Sequence, residues 1–142
     1  MMKQINTQRV VIGGVLGAVV WVVWGIVVNL LVLGPRYPAA QQAGYFLQQP
    51  RYSFFPVAWI AIELVLALIC AALYAAVREG WGPGFGTALR LGVMVGFAAG
   101  FPLAFATASW SPAPRTFPLW WMLELWIGAI AATVVAGWYY RE

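Results

Sequence analysis

The sequence predicts an all-α integral membrane protein, a four-helix transmembrane bundle that occupies all 142 residues as one domain. Hydrophobic residues make up 63% of the chain and charged residues 8%, whereas about 25% charged is usual in a soluble domain. Four apolar segments are also long enough to cross the roughly 30 Å hydrocarbon core of a bilayer. The predicted spans are about 9–33, 54–77, 87–109 and 119–140.

Residues that end helices separate the spans. Gly34 and Pro35 are expected to end the first span, and a polar loop at 34–53 follows it. Prolines bracket a run of helix formers inside this loop, which is compatible with a short interfacial helix. Such a helix would turn Tyr45, Phe46 and Leu47 toward lipid.

The other two connectors are shorter. Alternating glycines at 80–86 are interpreted as a tight turn, because neither a preceding strand nor a following Lys-Ser/Thr supports a phosphate loop. Prolines mark a second connector at 110–118. Pro102, inside the third span, predicts a kink there. The apolar stretch of the first span is too long for a signal peptide, so we expect a retained helix.

The basic residues stand singly near the ends of the spans, as topology charges do, and form no patch for nucleic acid. With both termini inside, more of them lie inside than outside. We therefore expect a multi-pass protein of the cell membrane, of the bacterial inner-membrane type, with cytoplasmic termini. The inner group is Lys3, Arg9, Arg78, Arg90 and Arg141, and the outer group is Arg36, Arg51 and Arg115.

The residue types needed for most enzyme chemistry are scarce. The chain has no histidine, which excludes His-ligated haem and His-dependent nucleophilic catalysis. Its single cysteine, Cys70, has no second thiol with which to form a redox pair. We expect neither an enzyme nor a bound cofactor or metal.

Small residues recur at spacing four in each span, which keeps them on one face of a helix. Such faces allow helix backbones to approach closely within a membrane. The sequence leaves open whether each face packs within the chain or against another subunit. The glycines of these stripes are Gly13, Gly17, Gly25, Gly92, Gly96, Gly100 and Gly128, with Trp21 interrupting the first. The alanines that complete them are Ala67, Ala71, Ala75, Ala104, Ala108, Ala132 and Ala136.

Three stripes continue into a polar residue on the side away from the termini. Asn29 lies four residues after Gly25, and Glu63 and Glu124 lie four residues before a small residue of their own stripe. These three predict an intramembrane polar locus. An acid near mid-membrane costs at least about 2.5–3.5 kcal/mol, so Glu63 is either a functional site or a protonated side chain that hydrogen-bonds a neighbour such as Asn29. Glu124 is shallower, and we expect its side chain to extend toward the interface.

The sequence favours a protein without catalytic chemistry. An accessory or partner-binding subunit of a larger membrane assembly fits the close-packing faces and the absence of a soluble domain. Its partners would be the lipid bilayer and other membrane subunits, or further copies of itself. The alternative is a small oligomeric proton-coupled transporter or channel that uses Glu63.

Overall fold

The computed structural model describes residues 5–140, and every regular element within that range is helical. Four helices of this range are long and apolar enough to span a membrane, which confirms the predicted helical class. Most of them extend beyond the predicted spans. Their bounds, with one short helix, are α1 Thr7–Ile26, α2 Tyr37–Gln42, α3 Phe55–Trp81, α4 Phe85–Trp110 and α5 Thr116–Tyr139.

The long helices alternate in direction. Helices α3 and α5 each contact all of the other long helices, so they form a central pair with α1 and α4 on either side. The two ends of the described range, residues 5 and 140, lie with the α3–α4 turn at one end of the bundle, which we call the termini end. The α2 segment and the α4–α5 connector lie at the far end.

Small residues bring α1 and α5 together in an antiparallel register. Gly13 lies against Ala136, and Gly17 lies against Ala132 one turn further along. A Cβ on residue 17 would stand 2.8 Å from the Ala132 carbonyl oxygen, closer than real Cβ atoms come to such a neighbour. The contact therefore depends on the missing side chain, as expected for a small-residue helix face.

Helix α4 uses its glycines in the same way, and it runs through Pro102 without ending. Its stripe packs on α5, so these glycines have their partner helix within the same chain. Gly92, Gly96 and Gly100 lie against Ile130, Trp126 and Met122 respectively.

The first helix does not end at Gly34–Pro35, and this corrects the sequence prediction. It widens into a π-helix, Val27–Leu33, passes through a 3₁₀ turn, Gly34–Arg36, and continues as α2. Proline lacks an N–H, and in a regular α-helix its ring collides with the carbonyl of residue i−4. A wider turn relieves that collision, and we attribute the π-helix to it. The irregular part of the predicted 34–53 loop therefore begins only after α2.

Four aromatic rings close the far end of the bundle. Phe46 packs edge-on against Phe117 with ring centroids 4.8 Å apart, and against Trp121 at 5.9 Å. Tyr37 completes the group, 5.0 Å from Phe117 and 5.8 Å from Phe46. We call Tyr37, Phe46, Phe117 and Trp121 the far-end cap.

The far-end cap changes the interpretation of the first connector. The short helix is α2, upstream of the predicted Tyr45–Leu47 stretch, and Phe46 turns inward onto the bundle instead of outward. Tyr45 and Leu47 are exposed. The Gln41 amide holds the chain in this path by donating to the Leu47 carbonyl at 2.9 Å.

Hydrogen bonds of two tyrosines and one arginine connect the helices at the termini end. The Tyr140 hydroxyl accepts a hydrogen bond from the Asn6 backbone N–H at 2.9 Å. Arg78 donates to the Tyr140 carbonyl at 2.8 Å, and its guanidinium lies 4.9 Å from the centre of that ring. The Tyr74 hydroxyl accepts from the Gly84 N–H at 2.9 Å, which fixes the α3–α4 turn.

Candidate functional site: a buried carboxyl pair

Two glutamate side chains meet inside the half of the bundle nearer the far end. Glu63 of α3 and Glu124 of α5 each lie about two turns from the start of their helix. Their exposed fractions are 2% and 1%, and the two side chains are hydrogen-bonded to each other. A carboxylate only accepts hydrogen bonds, so a bond between two carboxyl groups needs a proton. The arrangement therefore requires at least one bound proton.

Two further side chains donate to Glu124 from neighbouring helical segments. The Trp59 indole N–H lies 3.0 Å from Oε1 of Glu124, and Trp59 is also hydrogen-bonded to Glu63. The Asn29 amide lies 3.3 Å from Oε2 of Glu124. The same amide nitrogen donates to the Gly25 carbonyl at 3.0 Å. Both oxygens of Glu124 thus have a fixed donor.

Helix α1 provides space for the two carboxyl groups at Gly25, which has no side chain. A Cβ on Gly25 would stand 2.9 Å from Oε1 of Glu63 and 3.2 Å from Oε1 of Glu124. The glycine is needed for this close approach, since even a methyl group there would press on both acids.

Local helix geometry explains why these residues converge. Trp59 lies one turn before Glu63 and therefore on the same face of α3. Asn29 lies within the π-helix that precedes Pro35, where the wider turn redirects the side chains that follow α1. Short π-helical segments occur often at functional sites in proteins.

Trp21 lies one turn from the carboxyl pair, toward the termini end. Its indole occupies the space that a side chain on Gly128 would fill, and its exposed fraction is 0%. Within residues 5–140, its N–H is the buried side-chain polar atom that has no hydrogen-bond partner. A buried donor left without an acceptor costs about 1–3 kcal/mol, so the position calls for an explanation.

The far-end cap covers the pair from the other side. The Tyr37 hydroxyl is hydrogen-bonded to the Trp121 side chain and lies within electrostatic range of Glu124. Trp24 packs against the same cluster and donates from its indole to the Leu123 carbonyl at 3.3 Å. The carboxyl pair is therefore enclosed by aromatic side chains toward the far end, and by Trp21 and small residues toward the termini end.

The three residues of the predicted polar locus come together, with two differences in detail. Asn29 is bonded to Glu124 and not to Glu63, the partner suggested from sequence. Glu124 does not extend toward an interface, since it is 1% exposed and its two oxygens are bonded inside the bundle.

Sequence reasoning missed the tryptophans of the site. Trp59 lies four residues before Glu63, and that spacing could have identified it. Trp21 interrupts the glycine stripe of α1, and its pairing with Gly128 depends on the α1–α5 register, which no local pattern gives.

No group of three or more His, Cys, Asp or Glu side chains that could hold a metal ion occurs in the described part of the chain. No family model matches the sequence, and neither a curated protein nor a solved structure matches it significantly. The carboxyl pair and its surroundings are therefore the candidate functional site of this chain.

Proposed function

We propose that this chain is a multi-pass membrane protein that translocates protons, as a small proton-coupled transporter or channel, with Glu63 and Glu124 as the proton carrier. The observation that carries the proposal is the hydrogen bond between two carboxyl groups buried within a bundle of apolar helices. Uncharged Asn or Gln side chains can bridge helices at lower cost. Acids inside membrane spans often mark ion pathways and proton relays, which favours a proton-carrying role for this pair.

The membrane setting is supported by the outward faces of the helices. Large apolar side chains are exposed along all four long helices, for example Val19, Val57, Leu103 and Leu119. Exposed apolar surface on this scale suits contact with lipid. Along the sequence, five basic residues flank the spans on the side of the termini and three on the other side, which supports cytoplasmic termini in a cell membrane.

Thiol labelling in intact cells tests this topology. In a Cys70→Ala background, Ser53→Cys places a thiol at the far end and Gly80→Cys places one near the termini end; both positions are exposed. A membrane-impermeant maleimide is expected to label residue 53 only. Labelling of residue 80 only would reverse the orientation, and equal labelling of both would contradict the membrane-spanning arrangement.

Proton flux in liposomes tests the function itself. The purified chain is reconstituted with a pH-sensitive dye inside the vesicles, and a pH gradient and a membrane potential are imposed. We expect flux above that of protein-free liposomes, and at least about a tenfold loss in Glu63→Gln and Glu124→Gln, because an amide cannot carry the proton.

Glu79→Gln is the matched control, since Glu79 is an exposed acid on the same helix as Glu63. It is expected to retain wild-type flux. Full flux in Glu63→Gln, or wild-type flux no higher than in empty liposomes, would overturn the proposal.

One observation favours a second function, the accessory subunit. Phe97, Phe101 and Phe105 stack along one side of α4, with successive ring centroids 4.9 and 5.6 Å apart. This ridge offers a surface for the helix of a partner protein. The glycine stripes do not add to that argument, because they are occupied by helix contacts inside the chain. A partner that copurifies in mild detergent and is lost in Phe101→Leu/Phe105→Leu would support the subunit; purification as a lone species would count against it.

A further inference from the structure

We propose that Trp21 is a second hydrogen-bond partner of the carboxyl pair, and that its indole N–H receives the Glu63 carboxylate when the shared proton leaves. The inference rests on the proposed proton binding at the pair. It assigns a positioning role to a tryptophan whose N–H is bonded to neither acid in the present arrangement, and it gives the pair a second, distinct state.

The first observation is the unsatisfied indole. Trp21 is wholly enclosed, and its N–H faces Gly128 without an acceptor in the part of the chain that the structure describes. A phenylalanine would fill the same space without an unpaired donor. A buried donor of this kind is explained if an acceptor reaches it in another state of the protein.

The second observation is the position of Trp21 relative to both acids. Trp21 packs in one cluster with Ala67, which lies one turn after Glu63 on α3. It also contacts Gly128, which lies one turn after Glu124 on α5. The indole is thus about 6 Å along the bundle axis from the level of the carboxyl groups. Rotation about side-chain bonds can bring a glutamate carboxyl over such a distance without movement of the helices.

Glu63 is the acid that moves, because its bonding depends on the proton. Glu124 keeps two donors, Asn29 and Trp59, whatever its charge. Glu63 is bonded to Glu124 and to Trp59, and the first of these bonds exists only while a proton is shared. When that O–H bond breaks and the proton passes to water, the pair gains one negative charge. Two facing carboxylates then repel each other, and the Trp21 N–H offers the Glu63 carboxylate a donor one turn away.

Few other titratable groups face this movement. Toward the far end, Tyr37 lies within electrostatic range of Glu124. Toward the termini end, Cys70 belongs to the same cluster as Trp21 and is hydrogen-bonded to Thr133. The hydrogen bonds described for the two acids come from Asn29 and Trp59 and from the acids themselves. A charge change at the pair therefore arises from the two carboxyl groups.

Indole NMR tests the proposal directly. The full chain is labelled with 15N-tryptophan in lipid nanodiscs, and the indole N–H resonances are followed from acidic to alkaline pH. The Trp21 resonance is assigned by its loss in Trp21→Phe and by its proximity to the Gly128 α protons. We expect it to move downfield as the pair loses its proton, and to stay fixed in Glu63→Gln.

Trp24 and Trp59 provide internal references within the same spectrum. Trp24 donates to a backbone carbonyl, so its resonance should not move with pH. Trp59 donates to Glu124 and should respond to the charge of the pair, whether or not Glu63 moves. If Trp59 shifts and Trp21 does not, the inference is wrong while proton binding at the pair survives. If neither shifts and Glu63→Gln keeps its flux, both proposals fail.

Flux gives a second readout. Trp21→Phe removes the donor together with part of the indole volume, and we expect proton flux to fall by about tenfold, the effect of losing one hydrogen bond to a charged group. The Trp24→Phe variant loses the same volume and is the matched control. Trp24→Phe removes an indole N–H that faces no carboxyl group, so its proton flux should fall far less. Equal flux in Trp21→Phe and wild type would overturn the role of Trp21.

Discussion

Glu63 and Glu124 share a hydrogen bond at the level where α1 presents Gly25 to them. The glycine and the acids are parts of one arrangement, because the absence of a side chain on α1 is what lets two carboxyl groups occupy a closely packed core. The space at residue 25 is therefore expected to control the chemistry of the pair more than the stability of the bundle.

Gly25→Ala is expected to reduce proton flux several-fold and to cost little stability. The new methyl group would lie 2.9 Å from a carboxyl oxygen of Glu63, at the end of a side chain that can rotate away. Liposome flux and thermal unfolding in detergent measure the two effects. Gly86→Ala, with no heavy atom within 4 Å of its new Cβ, is the control and should change neither. Unchanged flux in Gly25→Ala would contradict the tight fit.

Two replacements of Glu124 should separate its structural role from its role in proton binding. Glu124→Leu removes an acceptor from Asn29 and from Trp59 but leaves them the Gly25 carbonyl and Glu63, so we expect a cost of about 1 kcal/mol for each lost bond. Glu124→Gln keeps one acceptor oxygen, so its free energy of unfolding should fall less. The free energy of unfolding in mixed micelles measures the difference, and equal losses in the two variants would show that the donors find other partners.

The α4–α5 contact should be sensitive to a single methyl group. In Gly96→Ala the new Cβ would stand 2.8 Å from backbone atoms of Trp126, so the helices must separate. We expect a loss of about 1–3 kcal/mol in the free energy of unfolding. Gly86→Ala lies on the same helix in open space and should be neutral or slightly stabilising. A neutral Gly96→Ala would mean that α4 is packed less closely than described.

The far-end cap should limit access to the pair. Phe46→Ala removes the ring that packs on Phe117 and Trp121, and so opens a path from the far end. We expect faster modification of the buried acids by a hydrophobic carbodiimide, which mass spectrometry locates at Glu63 or Glu124. Tyr45→Ala removes an exposed neighbouring ring and should react at the wild-type rate. Equal rates in both variants would place the route of access elsewhere.

Much of the fold could be predicted because it depends on local pattern and composition. Apolar runs of sufficient length specify helices, and the residues that break them mark the connectors. Pro35 shows the limit of such rules. Its effect on the helix depends on whether the preceding turn can widen, and here the chain continues through a π-helix into α2.

The sequence by itself determined the four long helices, their small-residue faces and the presence of Asn29, Glu63 and Glu124 on those faces, because each of these follows from spacing along one helix. Only the tertiary structure decided that the two acids meet as a hydrogen-bonded pair, that Asn29 and Trp59 both donate to Glu124, and that Trp21 fills the space at Gly128 with its N–H unpaired. These relationships depend on the register between helices. Register is set by the packing of whole faces against each other, and no single segment encodes it.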